Sequence, residues 1–379
     1  MKKVRGFFSK IRSVMAYNQM PRDKRRLTFY SEGINYWSYL EGLVKHVLTQ
    51  SDLDICFLTS SADDPALKFK HDRFHVFVID EGYVRDWLFA NIETSVFVMT
   101  MPDINQYQVK RSKNNVHYVY TQHSLVSLHM VYRPGAFDFY DTIFCSGPHH
   151  IQEMRAIENE RKLTPKKLFQ HGYARLDSIL DHAKSAHKAN EQTHYLLAPS
   201  WGKNGTIESG LGKQICDLIL ENNFKVTLRP HPMTFKHAGH AIEEIVKAHA
   251  TNPNFTFEKN VLDQSSLHDS DVMICDWSGA ALDYAFGLRK PVLFIDVPRK
   301  VNNPNYESIN ITPFEVSIRE EIGQVIPVDN LEAILKFDAK PISANLLEKN
   351  IYNIGKSDEI GAAELIRIVN EVENKNAIS

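Results

Sequence analysis

Two short stretches of this chain carry residue types suited to holding a phosphate. In residues 225–237, KVTLRPHPMTFKH, an apolar strand ends in Arg229-Pro230-His231-Pro232. The prolines stiffen the exit from the strand and fix where the guanidinium and the imidazole point. An arginine fork beside an imidazole at a sheet edge suits a diphosphate. In residues 272–296, VMICDWSGAALDYAFGLRKPVLFID, an apolar run, a small polar turn, a helical segment and a second apolar run make a βαβ unit. The helix starts at Ser278-Gly279, so free N–H groups face out at the carboxyl end of a parallel strand, where anions bind. Ser278 is also a helix cap by residue type, which leaves a ligand role open. Asp276 and Asp283 are acidic and suit ribose or polyol hydroxyls, or the orientation of His231; Asp283 reads equally as an exposed helix residue. The loop at 199–205, PSWGKNG, adds Ser200 and Lys203 as weaker candidates and matches no Walker spacing.

The elements that must position these residues alternate along the chain. From residue 27 the strands LTFYS, DICFLTS, FHVFVID, SVFVMTM, HYVYTQ and DTIFCSG are interleaved with helical patterns over YWSYLEGLVKHVL, VRDWLFANI and PHHIQEMRAIENER. Such alternation predicts a mostly parallel sheet with helices on both faces. Residues 181–193, DHAKSAHKANEQT, read as a polar linker, and the pattern restarts with HYLLAPS, KVTLRPHP, FTFEKN, VMICDW and VLFIDV. Two doubly wound α/β domains follow, 27–185 and 186–379, with a ligand cleft expected between them. A closing helix is predicted from Ser357 as N-cap, with Asp358 and Glu359 in its first turn and Ala362, Leu365, Ile366 and Val369 on one face.

Residues 1–26 stand apart. They carry Lys2, Lys3, Arg5, Lys10, Arg12, Arg22, Lys24, Arg25 and Arg26 against Asp23, while Val4, Phe7, Phe8, Ile11, Val14 and Met15 fall at helical spacing. This basic amphipathic pattern suits an anionic membrane surface, or equally a helix packed on the protein's own body. No apolar run reaches the roughly 18 residues of a membrane span. With 379 residues, 43% hydrophobic, 24% charged and a net charge of −2, the chain reads as globular, with no global field that favours nucleic acid. Cys56, Cys145, Cys216 and Cys275 lack metal or disulfide spacing and read as reduced core thiols, which places the protein in the cytoplasm.

Taken in order, RPHP at 229–232, DWSGAALDYA at 276–285 and KPVLFID resemble the nucleotide-binding half of the CDP-glycerol glycerophosphotransferases, the teichoic-acid polyol-phosphate transferases. YTQHS at 120–124 is similar to that family's strand-end histidine motif, GYARLDSIL at 172–180 to its Gly-Tyr-Pro-Arg-Asn-Asp segment, and LLAPSW at 196–201 to its Ala-Pro-Thr stretch. The resemblance implies a GT-B fold of two facing Rossmann-like domains and transfer of glycerol phosphate from CDP-glycerol to an acceptor hydroxyl, with release of CMP. It implies His123 as general base, Arg229 and His231 on the donor diphosphate, and Ser278, Gly279 and Asp283 around the same group. Arg175, in the third motif, is a further candidate.

The chemistry agrees with those roles. A neutral histidine can take the proton of a hydroxyl as it attacks, and phosphoryl transfer otherwise needs charge stabilisation and alignment. Arg229, a protonated His231 and the N–H groups after Ser278 would supply the charge with no cofactor and no metal. His171-Gly172 is a rival His-Gly pair, but it falls too late in the chain for the base position. The triplets Asp52-Leu53-Asp54 and Asp269-Ser270-Asp271 precede their strands, on the wrong sheet edge for a metal-dependent donor site.

Three departures from the family pattern stand out. Ser124 replaces the Gly after the histidine, Gly279 replaces a second Ser, and Ala174 and Leu176 replace the Pro and Asn of the third motif. They leave open whether glycerol phosphate, ribitol phosphate or a sugar is transferred. The expected function is polyol-phosphate transfer to a glycan or lipid-linked acceptor in cell-surface polymer synthesis, at the inner face of the membrane. The alternatives are a GT-B glycosyltransferase that uses a nucleotide sugar and a noncatalytic partner at the membrane surface.

Overall fold

The structure, a computed structural model, describes residues 2–79, 81–183, 190–260, 264–338 and 340–378, with side chains set aside at 2–9, 182, 183 and 378. It divides into two compact units. Unit 1 holds Met1–His123, Tyr132–Asp177 and Asn350–Ser379; unit 2 holds Ser124–Val131 and Ser178–Lys349.

Unit 1 is built on seven strands: β1 (Leu27–Ser31), β2 (Ile55–Thr59), β3 (Phe74–Val78), β4 (Val96–Met99), β5 (His117–Thr121), β6 (Thr142–Cys145) and β7 (Lys167–Gln170). All pair in parallel, in the order β3-β2-β1-β4-β5-β6-β7. The central strands are continuous apolar runs because a parallel sheet is covered on both faces. Alternate residues Leu27, Phe29, Ile55, Phe57, Val96, Val98, Val119 and Phe144 form one core with the helix Trp37–Gln50. On the opposite face Tyr30 and Phe97 both pack edge-on against Phe89, from the helix Tyr83–Asn91.

Unit 2 has six parallel strands: β8 (His194–Leu197), β9 (Lys225–Leu228), β10 (Phe255–Phe257), β11 (Val272–Cys275), β12 (Val292–Ile295) and β13 (Gly323–Ile326). Their order is β10-β9-β8-β11-β12-β13. In each sheet the order reverses at one point, at β1/β4 and at β8/β11, and ligands bind outside the carboxyl ends of strands at such points.

The structure corrects the expected boundaries in three places. The final helix, Ser357–Ile378, belongs to unit 1: Ala362, Leu365, Ile368 and Val369 are buried in that unit's core against the Trp37–Gln50 helix. Each Leu or Ile so buried contributes about 1.5–3 kcal/mol. Residues 1–26 likewise join unit 1 instead of standing apart. The helix Lys2–Gln19 forms as expected, yet Val14 and Tyr17 are buried, and Tyr17 packs edge-on against Phe77 and hydrogen-bonds Thr28. Met15 is 54% exposed, and the side chains of Val4, Phe7 and Phe8 lie outside the described residues. Finally, the second segment of unit 1 ends at Asp177 within the helix Ala174–Ala183, ahead of the expected linker, of which 184–189 lies outside the described residues. All four cysteines are free and buried.

Candidate functional site

The candidate residues fall into two groups, one at the carboxyl edge of each sheet. In unit 1, His123 follows β5 and is ringed by aromatic side chains: Tyr36, Tyr39, Tyr120 and Tyr132 have ring centroids 6.0, 6.3, 6.4 and 6.0 Å away. His123 Nδ1 lies 3.1 Å from Tyr120 Oη, and the Tyr120 hydroxyl donates to Tyr132 Oη at 3.5 Å. Burial in this ring disfavours the imidazolium and brings the His123 pKa down to about 4. Arg175 reaches the same cluster, its guanidinium 5.6 Å from the centre of the Tyr39 ring. Tyr36 and Tyr39, at the start of the helix Trp37–Gln50, carried no signal in the sequence beyond ordinary helix aromatics.

His171 has a different environment. It is 1% exposed, its ring packs at 4.7 Å on Phe144, and a side chain at Gly361 would run into it. Burial lowers its pKa to about 3. It belongs to the core between sheet and final helix. Close by, the Asp177 carboxylate accepts from Gly355 N, Ser357 N and Ser357 Oγ, so Asp177 rather than Ser357 ties down the start of that helix.

In unit 2, Arg229 and His231 follow β9. Arg229 is 6% exposed and its Nε lies 3.2 Å from Glu258 Oε1, just beyond β10. Glu258 therefore aims the guanidinium, a role no sequence motif announced. His231 Nδ1 accepts the Met233 N–H at 3.1 Å and so caps the helix Pro232–His249. Burial and then the charge of Lys300 lower its pKa to about 4. Burial thus works against the protonated His231 that the sequence suggested. The ring is neutral and, with Nδ1 accepting, carries its proton on Nε2, a neutral donor.

After β11, Ser278 Oγ accepts the Ala280 N–H at 3.3 Å and caps the helix Gly279–Leu288. A Cβ at Gly279 would lie 2.8 Å from Ser124 Oγ, so these two departures from the family pattern touch. Asp283 is 6% exposed, which rules out the exposed-helix reading. Asp276 holds a loop, and its charge also favours protonation of His231. It is buried, and its carboxylate accepts from Ser200 N, Thr206 N and Thr206 Oγ1 at 2.7, 3.0 and 2.8 Å, so its oxygens hold the 200–206 loop. Ser200 is buried in that loop, and Lys203 is exposed on its turn.

The same loop presents Trp201, which stacks on His237 at 5.7 Å and carries Lys300 Nζ 4.5 Å above its ring. Lys300 stands in none of the motifs; it closes the stretch Val297-Pro298-Arg299-Lys300 that follows β12. The segment Ser124–Val131 is held in unit 2 by Glu315, which accepts from Ser127 N and Oγ at 2.7 Å each, and by Asn303, whose side chain donates to His129 O.

The two Asp-x-Asp triplets have structural partners: Asp54 pairs with His75, and Asp271 accepts the His194 N–H. Among the described residues no three or more His, Cys, Asp or Glu side chains gather to hold a metal ion, and no helix is long and apolar enough to cross a membrane.

Comparison with known proteins gives one family. The family model described as CDP-glycerol:poly(glycerophosphate) glycerophosphotransferase matches residues 84–299. No curated protein matches by sequence. Among solved structures, the wall teichoic acid polymerase TagF is similar at 12% identity and TM-score 0.54, over 96% of this chain and 94% of that one. UDP-GlcNAc 2-epimerase from Methanocaldococcus jannaschii is similar at 14% identity and TM-score 0.58, over 90% and 99%. MnaA of S. aureus is similar at 12% identity and TM-score 0.59, over 92% and 96%. At such identities these likenesses speak for the fold alone, and that fold is the GT-B type expected from the resemblance.

Proposed function

The chain belongs to the CDP-glycerol:poly(glycerophosphate) glycerophosphotransferase family, and we propose that it transfers a polyol phosphate, most simply glycerol phosphate, from a CDP-activated donor to a hydroxyl of a glycan or lipid-linked acceptor in teichoic-acid-type polymer synthesis. The observation that carries the reading is the set of polar groups at the carboxyl edge of unit 2: Arg229 aimed by Glu258, the Nε2–H of His231, and the capped helix start at Ser278-Gly279. Guanidinium, imidazole N–H and helix N–H groups together suit the two phosphates of such a donor.

In the proposed reaction the acceptor oxygen attacks the phosphorus that bears the glycerol. The bond to the bridging oxygen breaks, CMP leaves with the electron pair, and the acceptor proton passes to His123. The base needs a free lone pair. In the tautomer whose Nδ1–H donates to Tyr120 Oη, with the Tyr120 hydroxyl donating to Tyr132, the lone pair that takes the proton is on Nε2. The low pKa keeps the ring neutral at pH 7, the state in which it can accept a proton. Asp283 takes ribose or polyol hydroxyls, and Arg175 assists on the acceptor side.

Residues 1–26 hold the enzyme at an anionic membrane surface, on the cytoplasmic face. Their basic residues other than Arg25, which is buried and paired with Glu93, support this, since each Lys or Arg near such a surface adds on the order of 1 kcal/mol. The function is tested by incubating the protein with CDP-glycerol and a membrane fraction and following CMP release. His123→Ala should lower the rate about 100-fold or more; a variant as fast as the wild type would remove His123 from the mechanism.

A further inference from the structure

We propose that Lys300, carried on the face of Trp201 beside His231, is a further donor contact that takes the phosphate leaving as a nucleoside monophosphate. The inference rests on the reading of unit 2 as the donor side. Three strand ends of one sheet bring the group together: Trp201 follows β8, His231 follows β9 and Lys300 follows β12. Lys300 Nζ is 4.5 Å from the centre of the Trp201 ring, and the Trp201 and His231 rings are 6.1 Å apart.

What sets Lys300 apart is how it is held. A ring face orients an ammonium without neutralising it. Of the carboxylates nearby, Asp276 holds the 200–206 loop, and Glu208 Oε1 accepts from Thr234 Oγ1 at 3.0 Å while its Oε2 makes no hydrogen bond. Among the described residues none lies within ion-pair distance of Nζ. Burial accordingly lowers the Lys300 pKa, with Asp276 and Glu208 acting in the opposite sense. A partly desolvated ammonium without a counter-ion favours an incoming dianion.

The chemistry requires such a charge. When the bond between the bridging oxygen and the transferred phosphorus breaks, the electron pair stays on the nucleoside monophosphate, whose phosphate gains negative charge. A cation there stabilises the leaving group as it forms and holds it afterwards. Burial works against a charge on His231, so the charge falls mainly to Arg229 and Lys300.

The test is calorimetric titration of the full-length wild type, Lys300→Met and Lys300→Arg with CMP and with cytidine. Lys300→Met should bind CMP about tenfold more weakly with cytidine binding unchanged, and Lys300→Arg should stay within about threefold of wild type. Equal weakening toward CMP and cytidine, or no weakening at all, would overturn the proposal. A wild type that binds neither CMP nor CDP-glycerol would instead overturn the donor reading on which it rests. A second readout is independent of ligand: with the ammonium removed, the His231 pKa measured by NMR should rise from its low value. An unchanged value would show that the two groups are not neighbours.

Discussion

Ser124 Oγ occupies the space beside Gly279, 2.8 Å from where a Cβ at that position would lie. The first residue of the segment Ser124–Val131 and the first residue of the Gly279–Leu288 helix are thus fitted to each other. Both depart from the family pattern, one gaining a hydroxyl where the other loses it. Gly279→Ser alone should therefore overpack the contact and cost about 1–3 kcal/mol. Ser124→Gly with Gly279→Ser should recover much of that loss, a coupling measurable by chemical denaturation of the four variants. Strictly additive effects would contradict the fit.

Asp177 should prove a structural acid. Its carboxylate receives two backbone N–H groups and one hydroxyl at the start of the final helix, bonds to a charged acceptor worth about 1.5–3 kcal/mol each before compensation. Asp177→Asn should lower unfolding free energy by about 2 kcal/mol or more. It should also lower the Asp358 pKa, which burial and then the Asp177 charge raise to about 7. Wild-type stability in this variant would mean that the helix start is held by other groups.

Acid should destabilise the fold through its buried histidines. Burial depresses His123 and His231 from 6.5 to about 4 and His171 to about 3, so between those values and 6.5 the unfolded chain binds protons that the folded protein refuses. Stability is then full above pH 6.5 and falls as the pH drops through that window. Replacing His171 with Asn should flatten the slope of denaturation midpoint against pH over that range, whatever it does to absolute stability. An unchanged slope would show that His171 titrates normally.

How much of this was legible in sequence depends on where each residue sits in the sheets. Central strands such as β2 and β11 are buried on both faces and so read as unbroken apolar runs. β7, KLFQ, and β13, GQVI, are edge strands with two apolar residues each, too short for periodicity to register. The apolar stripe of the final helix was plain, but its partner is the Trp37–Gln50 helix far away in sequence, and no local pattern encodes that pairing. The candidate site shows the same division. Arg229, His231 and Ser278 stand in motifs at strand ends, whereas Glu258, Trp201 and Lys300 become part of the site only when three loops meet. Asp276 stood in a motif, yet its carboxylate is spent on a loop, a fact of hydrogen bonding that residue type cannot reveal.

Removal of residues 2–9 is the informative truncation at the N-terminus. A cut at 26 would also take away Val14 and Tyr17, which belong to the core of unit 1. Loss of Lys2, Lys3 and Arg5 with residues 2–9 should weaken sedimentation with anionic vesicles while leaving CMP affinity and thermal stability near wild type. Unaltered sedimentation would remove these residues from membrane attachment.

The central claim is that unit 2 receives a cytidine-activated polyol phosphate. Calorimetric titration of the wild type and Arg229→Ala with CDP-glycerol and with UDP-N-acetylglucosamine, without added metal, addresses it most directly. The expected result is clear binding of CDP-glycerol in preference to the uridine ligand, weakened by about 1.5–3 kcal/mol in Arg229→Ala. Preference for UDP-N-acetylglucosamine, or an Arg229→Ala variant with wild-type affinity for CDP-glycerol, would contradict it.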